Sequence, residues 1–187
     1  LGVTLICAPS GFGKSTLLSA WQRDARLPVA WVSLDAEDDT PGRFWLTLAL
    51  AVQHVLPETG RLLLARLRTQ ASVHSAQMVA VLAGSVPPPA LPVAGSSVSR
   101  GPGLTLVLDD YNCLHSAEIH AAVQAMADLQ HRALNLVIAS RTRPPLKLGH
   151  LRATGRLTEL ETDDLRFSPD EGIEFLRRFT ATLPRAR

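Results

Sequence analysis

The segment that most restricts this chain is Ala8-Pro9-Ser10-Gly11-Phe12-Gly13-Lys14-Ser15-Thr16. It follows a short apolar run with β-branched residues, Val3 to Cys7, and precedes a stretch in which Leu17, Leu18 and Trp21 recur on one helical face. Strand, glycine-bearing loop and helix, in that order, build a concavity into which backbone N–H groups and the positive end of the helix point. Such a concavity suits a polyphosphate. The phosphate-loop pattern is G-x-x-x-x-G-K-S/T. Gly13, Lys14 and Ser15 match it, and Ala8 stands at the first glycine position, with Gly11 as the source of backbone freedom that alanine lacks. The pattern assigns residues Ala8 to Thr16 to nucleotide contact, the Lys14 ammonium to the β- and γ-phosphates, and the Ser15 hydroxyl to Mg²⁺. The bland alternative is a strand–helix turn with a solvated lysine.

Four further apolar runs read as strands: Val29 to Leu34, Leu104 to Leu108, Leu134 to Ala139 and, more weakly, Leu157 to Leu160. Between them lie helical patterns. Phe44, Trp45, Leu48, Val52, Val55 and Leu56 recur after the acidic loop 35–40, shorter helices are expected near 61–70 and 75–84, and Ile119, Val123, Met126 and Leu129 mark a core-packing face. Leu63, Leu64 and Leu67 are expected to pack internally. The Pro/Gly/Ser-rich tract 87–103 has no periodicity and reads as a surface loop. Ser168-Pro169-Asp170-Glu171 has the signs of a helix start: Ser as cap, Pro at the first position and Glu closing a capping box. Strands alternating with helices imply an α/β fold, a three-layer αβα sandwich with a mostly parallel five-stranded sheet and function at the strands' carboxyl ends.

Two other strand ends carry chemistry. Asp109 closes the run Leu104 to Leu108, and a carboxylate there, beside the loop, can hold Mg²⁺. Asp110 follows and either orients or deprotonates the attacking water or caps the next helix. Ser140-Arg141 closes the fourth run. In P-loop ATPases with an additional strand, the fourth strand lies between the first and third. Arg141 would then face the γ-phosphate and sense it or stabilise charge developing on it during cleavage, unless it serves in a surface ion pair.

Hydrophobic residues make up 46 % of the 187, which suffices for a real core, so wholesale disorder is excluded. The formal net charge is only +2, with both signs mixed, so no phosphate-backbone footprint is visible. No apolar run approaches the ~18–20 residues of a membrane span, and no leader pattern is present. A cytoplasmic protein is expected. Cys7 and Cys113 read as reduced thiols, and the six histidines (54, 74, 115, 120, 131 and 150) show no ligand spacing. The sequence begins at Leu1 and ends at Arg187 just after a helical pattern starts, and so reads as a piece of a larger protein. Residues 1–168 are expected to form the core, and 169–187 the start of a helical lid.

Several blocks together resemble one family. They are A-P-S-G-F-G-K-S-T-L-L-S-A-W, V-A-W-V-S-L-D-A-E-D-D-T-P-G-R-F-W, L-V-L-D-D-Y-N-C-L, L-V-I-A-S-R-T-R-P-P-L and L-R-A-T-G-R-L-T-E-L-E-T-D-D-L-R-F-S. They resemble the MalT-like, large LuxR-type (LAL) transcriptional regulators, whose ATPase domain belongs to the signal-transducing STAND class of P-loop NTPases. That resemblance implies an ATP- and Mg²⁺-binding, slowly hydrolysing nucleotide switch. It further implies self-association of the full-length ATP-bound form and DNA binding through a C-terminal domain outside these residues. Carried over, Lys14 and Ser15 are the loop residues, Asp109 the Mg²⁺ aspartate and Arg141 the sensor arginine. A histidine often follows D-D-Y in similar proteins, where this chain has Asn112.

Two other functions remain open at this level. A P-loop small-molecule kinase would need an acceptor site and a lid arginine pair, and no such pair is seen in the sequence. An interaction domain with a decayed nucleotide site has only Ala8 in its favour.

Overall fold

The computed structural model describes residues 2–25, 28–69, 73–88, 103–129, 133–166 and 171. Its strands are β1 (Val3–Cys7), β2 (Val29–Ser33), β3 (Leu104–Asp109), β4 (Leu134–Ser140) and β5 (Leu157–Leu160). They form one sheet in the order β2-β3-β4-β1-β5, with every pairing parallel. The fourth strand therefore lies between the first and third, as expected for the additional-strand arrangement. The helices are α1 (Lys14–Asp24), α2 (Pro41–Val55), α3 (Pro57–Arg68), α4 (Ser75–Ser85), α5 (Ala117–Asp128) and α6 (Gly149–Ala153).

The inner strands β1, β3 and β4 are covered on both faces, which is why they read as apolar runs and not as alternation, while the edge strand β5 is only partly buried. All six residues of β3 are buried. One face, carrying Leu5, Leu106, Leu108, Leu136 and Ile138, packs under α2 to α6 through side chains such as Phe44, Trp45, Leu63, Leu82, Val123 and Leu151. The opposite face presents Ile6, Val107, Val137 and Ala139 to Leu18 of α1. Leu17 and Trp21 remain 40 % and 37 % exposed, so of the three apolar residues expected on one face of α1 only Leu18 is fully packed. Leu63 is buried, and Leu64 and Leu67 pack against the same core, as expected.

Polar side chains tie the helical layer together. The buried Trp45 indole N–H donates to Ser75 Oγ at 3.0 Å, and Ser75 donates on to Glu118 Oε1 at 2.8 Å, linking α2, α4 and α5. The acidic loop before α2 is structural. Asp35 and Asp38 form a reciprocal capping box around a 3-10 turn, Ala36–Asp38. Thr47 donates to Asp38 Oδ1 at 2.8 Å. Asp39 Oδ1 accepts the backbone N–H groups of His115 and Ser116, both at 2.7 Å, holding the start of α5.

Two elements differ from the sequence reading. The helix expected near 61–70 begins earlier, with Pro57 at its first position, where proline's missing N–H costs nothing. The short α6 carries too few apolar residues to show a period. Residues 89–102 of the proline-rich tract, the helix start at 168–170 and most of the expected lid, 169–187, lie outside the described residues. Cys7 and Cys113 are free thiols on either side of β4.

Candidate functional site

β1 delivers the chain into the loop at Ala8, which is 1 % exposed and donates its N–H to Ser140 O at 3.2 Å. Among the described residues Asp110 is the one non-glycine with positive φ, so Ala8 occupies an ordinary backbone region and needs no glycine there. The left-handed conformations fall on Gly11 (φ 85°) and Gly13 (φ 76°), where a Cβ would be strained. Gly13 O accepts the first helical bond of α1 from Leu17 N at 2.8 Å. The N-terminus of α1 thus points at the loop's interior.

Lys14 is 7 % exposed, and its ammonium donates to the carbonyls of Ala8 (2.8 Å) and Pro9 (3.0 Å). Beside it, Ser15 Oγ donates to Asp109 Oδ2 at 2.9 Å. Asp109 is 5 % exposed, and its other oxygen accepts Asp110 N–H at 3.0 Å. Asp110 adopts φ 55°, ψ 38° and turns the chain out of the sheet into a 3-10 turn, Tyr111–Cys113. Its side chain makes no capping hydrogen bond there. Instead Asp110 Oδ1 lies 3.7 Å from the Arg141 guanidinium, with both side chains about half exposed. The helix-cap reading of Asp110 is therefore replaced by an ion pair, because the left-handed turn aims the carboxylate across the loop and away from the following backbone. Such a pair at the surface adds little stability.

Lys14, Ser15, Asp110 and Arg141, with Ser10, Gly11, Gly13 and Thr16, line one cavity of about 320 Å³ at the carboxyl ends of β1, β3 and β4. Asp109 lies behind it through Ser15. Pro9, which is exposed, and Phe12, which is half-buried, are not among the residues that line it. Sequence positions more than 90 apart thus converge on one site.

The donor set fits Mg²⁺ shared with phosphate. In an octahedron with Mg–O bonds of about 2.1 Å, neighbouring ligands stand about 3 Å apart. Ser15 Oγ and Asp109 Oδ2 are 2.9 Å apart. Among the described residues no cluster of three His, Cys, Asp or Glu offers an all-protein cage. One carboxylate and one hydroxyl completed by substrate oxygens is the pattern that Mg²⁺ tolerates.

Around the site, the Arg141 backbone N–H donates to Asn112 Oδ1 at 3.0 Å. Arg143 and Arg152 both pair with Glu159, Arg152 at 2.7 Å. Burial pushes the Glu159 carboxyl up, but the hydrogen bonds and charges of Arg152 and Arg143 outweigh it and hold its pKa below the usual value. Tyr111 OH and His120 Nδ1 meet at 2.8 Å. Burial lowers the His120 pKa, with Asp39 opposing and His115 adding to the shift. Burial also pushes the Cys7 thiol up, against the opposing charges of Arg143 and Lys14. The described histidines form no cluster, and His131 lies outside the described residues. Sequence reasoning passed over Asn112, noting only that it stands where a histidine is usual; no local pattern marks it as a partner of Arg141.

No protein-family model matches the chain. It is similar to the HTH-type transcriptional regulator MalT of Yersinia enterocolitica, with 33 % identity over 173 residues, 92 % of this chain and 18 % of that protein. The corresponding regulators of Serratia proteamaculans and Cronobacter sakazakii are 30 % and 32 % identical, again over 92 % of the chain. The chain thus spans about 18 % of the length of these relatives. In structure it is similar to Drosophila ORC bound to DNA, with TM-score 0.55 and 15 % identity over 96 % of this chain and 42 % of that one. It is likewise similar to the Aeropyrum pernix ORC1 protein in complex with DNA, with TM-score 0.54 and 16 % identity over 98 % of this chain and 45 % of that one. At such identities the likeness is one of fold.

Proposed function

We propose, from the premise that this chain is a relative of the MalT-type regulators along 92 % of its length, that it is the nucleotide-switch segment of a signal-responsive transcriptional regulator. It binds ATP with Mg²⁺ and hydrolyses it slowly. The observation that carries this reading is the contact of Ser15 Oγ with Asp109 Oδ2 at 2.9 Å, beside the buried Lys14. A merely structural glycine turn has no reason to join a loop serine to a strand-end carboxylate.

In this reading the loop amides from Ser10 to Ser15 and the N-terminus of α1 receive the phosphates. The Lys14 ammonium exchanges its loop carbonyls for phosphate oxygens. Ser15 and Asp109 hold Mg²⁺, which when bound neutralises charge on the β- and γ-phosphates. Asp110 orients or deprotonates the attacking water, and Arg141 detects the γ-phosphate and stabilises charge that develops on it. The Asp110–Arg141 pair makes these two groups interdependent, since engagement of Arg141 by phosphate frees Asp110 for water. ATP binding favours self-association of the full-length cytoplasmic protein. DNA contact belongs to parts of it beyond these residues.

Calorimetric titration of ATP with Mg²⁺ into the protein and its Lys14→Ala variant tests the reading. Binding that the variant loses supports it; equal binding by both, or none by the folded wild type, sinks it. Phosphate release that is indifferent to added small-molecule acceptors separates a switch from a kinase.

A further inference from the structure

We infer that Asn112 is a positioning residue for Arg141: its side-chain carbonyl replaces the missing edge of β3 and latches the start of the β4–α6 loop over the phosphate cavity. The inference rests on the proposed role of Arg141 as the γ-phosphate sensor and deepens it.

The backbone pairing of β3 with β4 ends at Leu108 and Ile138. β4 continues to Ser140, still paired with Cys7 of β1 on its other side. On the β3 side there is no strand left, because the left-handed turn at Asp110 carries the chain out of the sheet. The first amide beyond β4, that of Arg141, would point at the space β3 has vacated. Asn112 fills it, accepting that N–H on Oδ1 at 3.0 Å. The amide group is oriented from behind by a weak contact of Nδ2 with Cys113 Sγ at 3.8 Å.

The far side of the same loop is held independently. Two residues on, Arg143 pairs with Glu159 of β5, which Arg152 also engages. The segment 141–143 is thus fastened at its first residue by Asn112 and at its third by Glu159. The intervening freedom belongs mainly to the Arg141 side chain, about half exposed and 3.7 Å from Asp110. The turn that supplies Asn112 also begins one residue after Asp109. The carboxylate proposed for the metal and the guanidinium proposed for the γ-phosphate are thereby linked by three residues of backbone and one side-chain hydrogen bond. A displacement of either strand end is felt at the other.

The test combines a readout that needs no nucleotide with one that does. Amide hydrogen exchange of Arg141 is measured in the wild type, Asn112→Ala and Asn112→Asp, the last retaining the acceptor oxygen. The ratio of affinities for a non-hydrolysable ATP analogue and ADP is measured in the wild type, Asn112→Ala, Arg141→Ala and the double variant. The Arg141 amide should be protected in the wild type and in Asn112→Asp, and exchange faster in Asn112→Ala by roughly tenfold or more, the loss of one hydrogen bond. The affinity ratio should fall by roughly tenfold in Arg141→Ala, by a large part of that in Asn112→Ala, and no further in the double variant. Unchanged exchange in Asn112→Ala overturns the latch. An affinity ratio that falls only in Arg141→Ala, or falls additively in the double variant, overturns the positioning role and leaves the proposed function standing. Failure of the folded wild type to bind either nucleotide overturns that function, and this inference with it.

Discussion

Ser15 Oγ and Asp109 Oδ2 lie 2.9 Å apart although 94 positions separate them in sequence. The pair joins the first turn of α1, which follows β1, to the end of β3, with β4 lying between β1 and β3 in the sheet. Its geometry makes a sharp demand on the metal. Asp109→Asn keeps the shape and a hydrogen-bond acceptor but removes the charge. Calorimetry should show ATP binding tightened by Mg²⁺ in the wild type and nearly indifferent to Mg²⁺ in the variant. Equal Mg²⁺ dependence in both would remove Asp109 from the metal site.

Lys14 is buried and bonded to two carbonyls of its own loop. Lys14→Ala should weaken ATP affinity by roughly tenfold or more, in line with the loss of charge-assisted hydrogen bonds. Circular dichroism should show the fold retained. A variant that binds ATP as well as the wild type would refute the phosphate-loop assignment.

The chain Trp45–Ser75–Glu118 satisfies an indole N–H buried among α2, α4 and α5. Ser75→Ala leaves that N–H without its partner, and should cost about 1–3 kcal/mol, seen as a lowered denaturant midpoint. Ser75→Thr, which keeps the hydroxyl, should recover most of it.

α2 and α3 approach so closely that a Cβ on Gly60 would meet Gln53 Cα at 2.2 Å. Backbone cannot yield as a flexible side-chain tip does. Gly60→Ala should therefore destabilise by about 1–3 kcal/mol, while the same change at Gly84, where a Cβ meets nothing within 4 Å, should be neutral or stabilising. Thermal unfolding of the two variants decides it.

His120 has its pKa lowered by burial, more than Asp39 raises it. The unfolded chain therefore binds the proton more readily than the folded one. Stability from this group is complete above the ordinary histidine value of about 6.5 and is lost as pH falls from there through the folded pKa. Unfolding midpoints measured from pH 7.5 downwards should show this loss, and His120→Gln should flatten it. The slope should persist in His115→Gln, which removes a neighbouring charge but not the burial.

What the sequence determined by itself was local. The loop from Ala8 to Ser15 is legible because its glycines, lysine and helix start are consecutive, and left-handed backbone at Gly11 and Gly13 is a property of those residues alone. The strands are legible because apolar runs buried on both faces leave an unmistakable composition. Pro57 at the start of α3 could have been read the same way. What only the tertiary structure decided was which ends meet. The acidic run Asp35 to Asp39 has the composition of a metal or catalytic site. Yet Asp35 and Asp38 cap a turn, and Asp39 holds the start of α5 some 76 positions away. Asp110 cannot be told from a helix cap until its left-handed turn is seen to aim it at Arg141. Asn112 has no signature at all. Its hydrogen bond exists because β3 ends before β4 does, and the free energy that fixes such a pairing comes from burying the whole sheet. Residues far apart in sequence become neighbours through that burial, which no local pattern records.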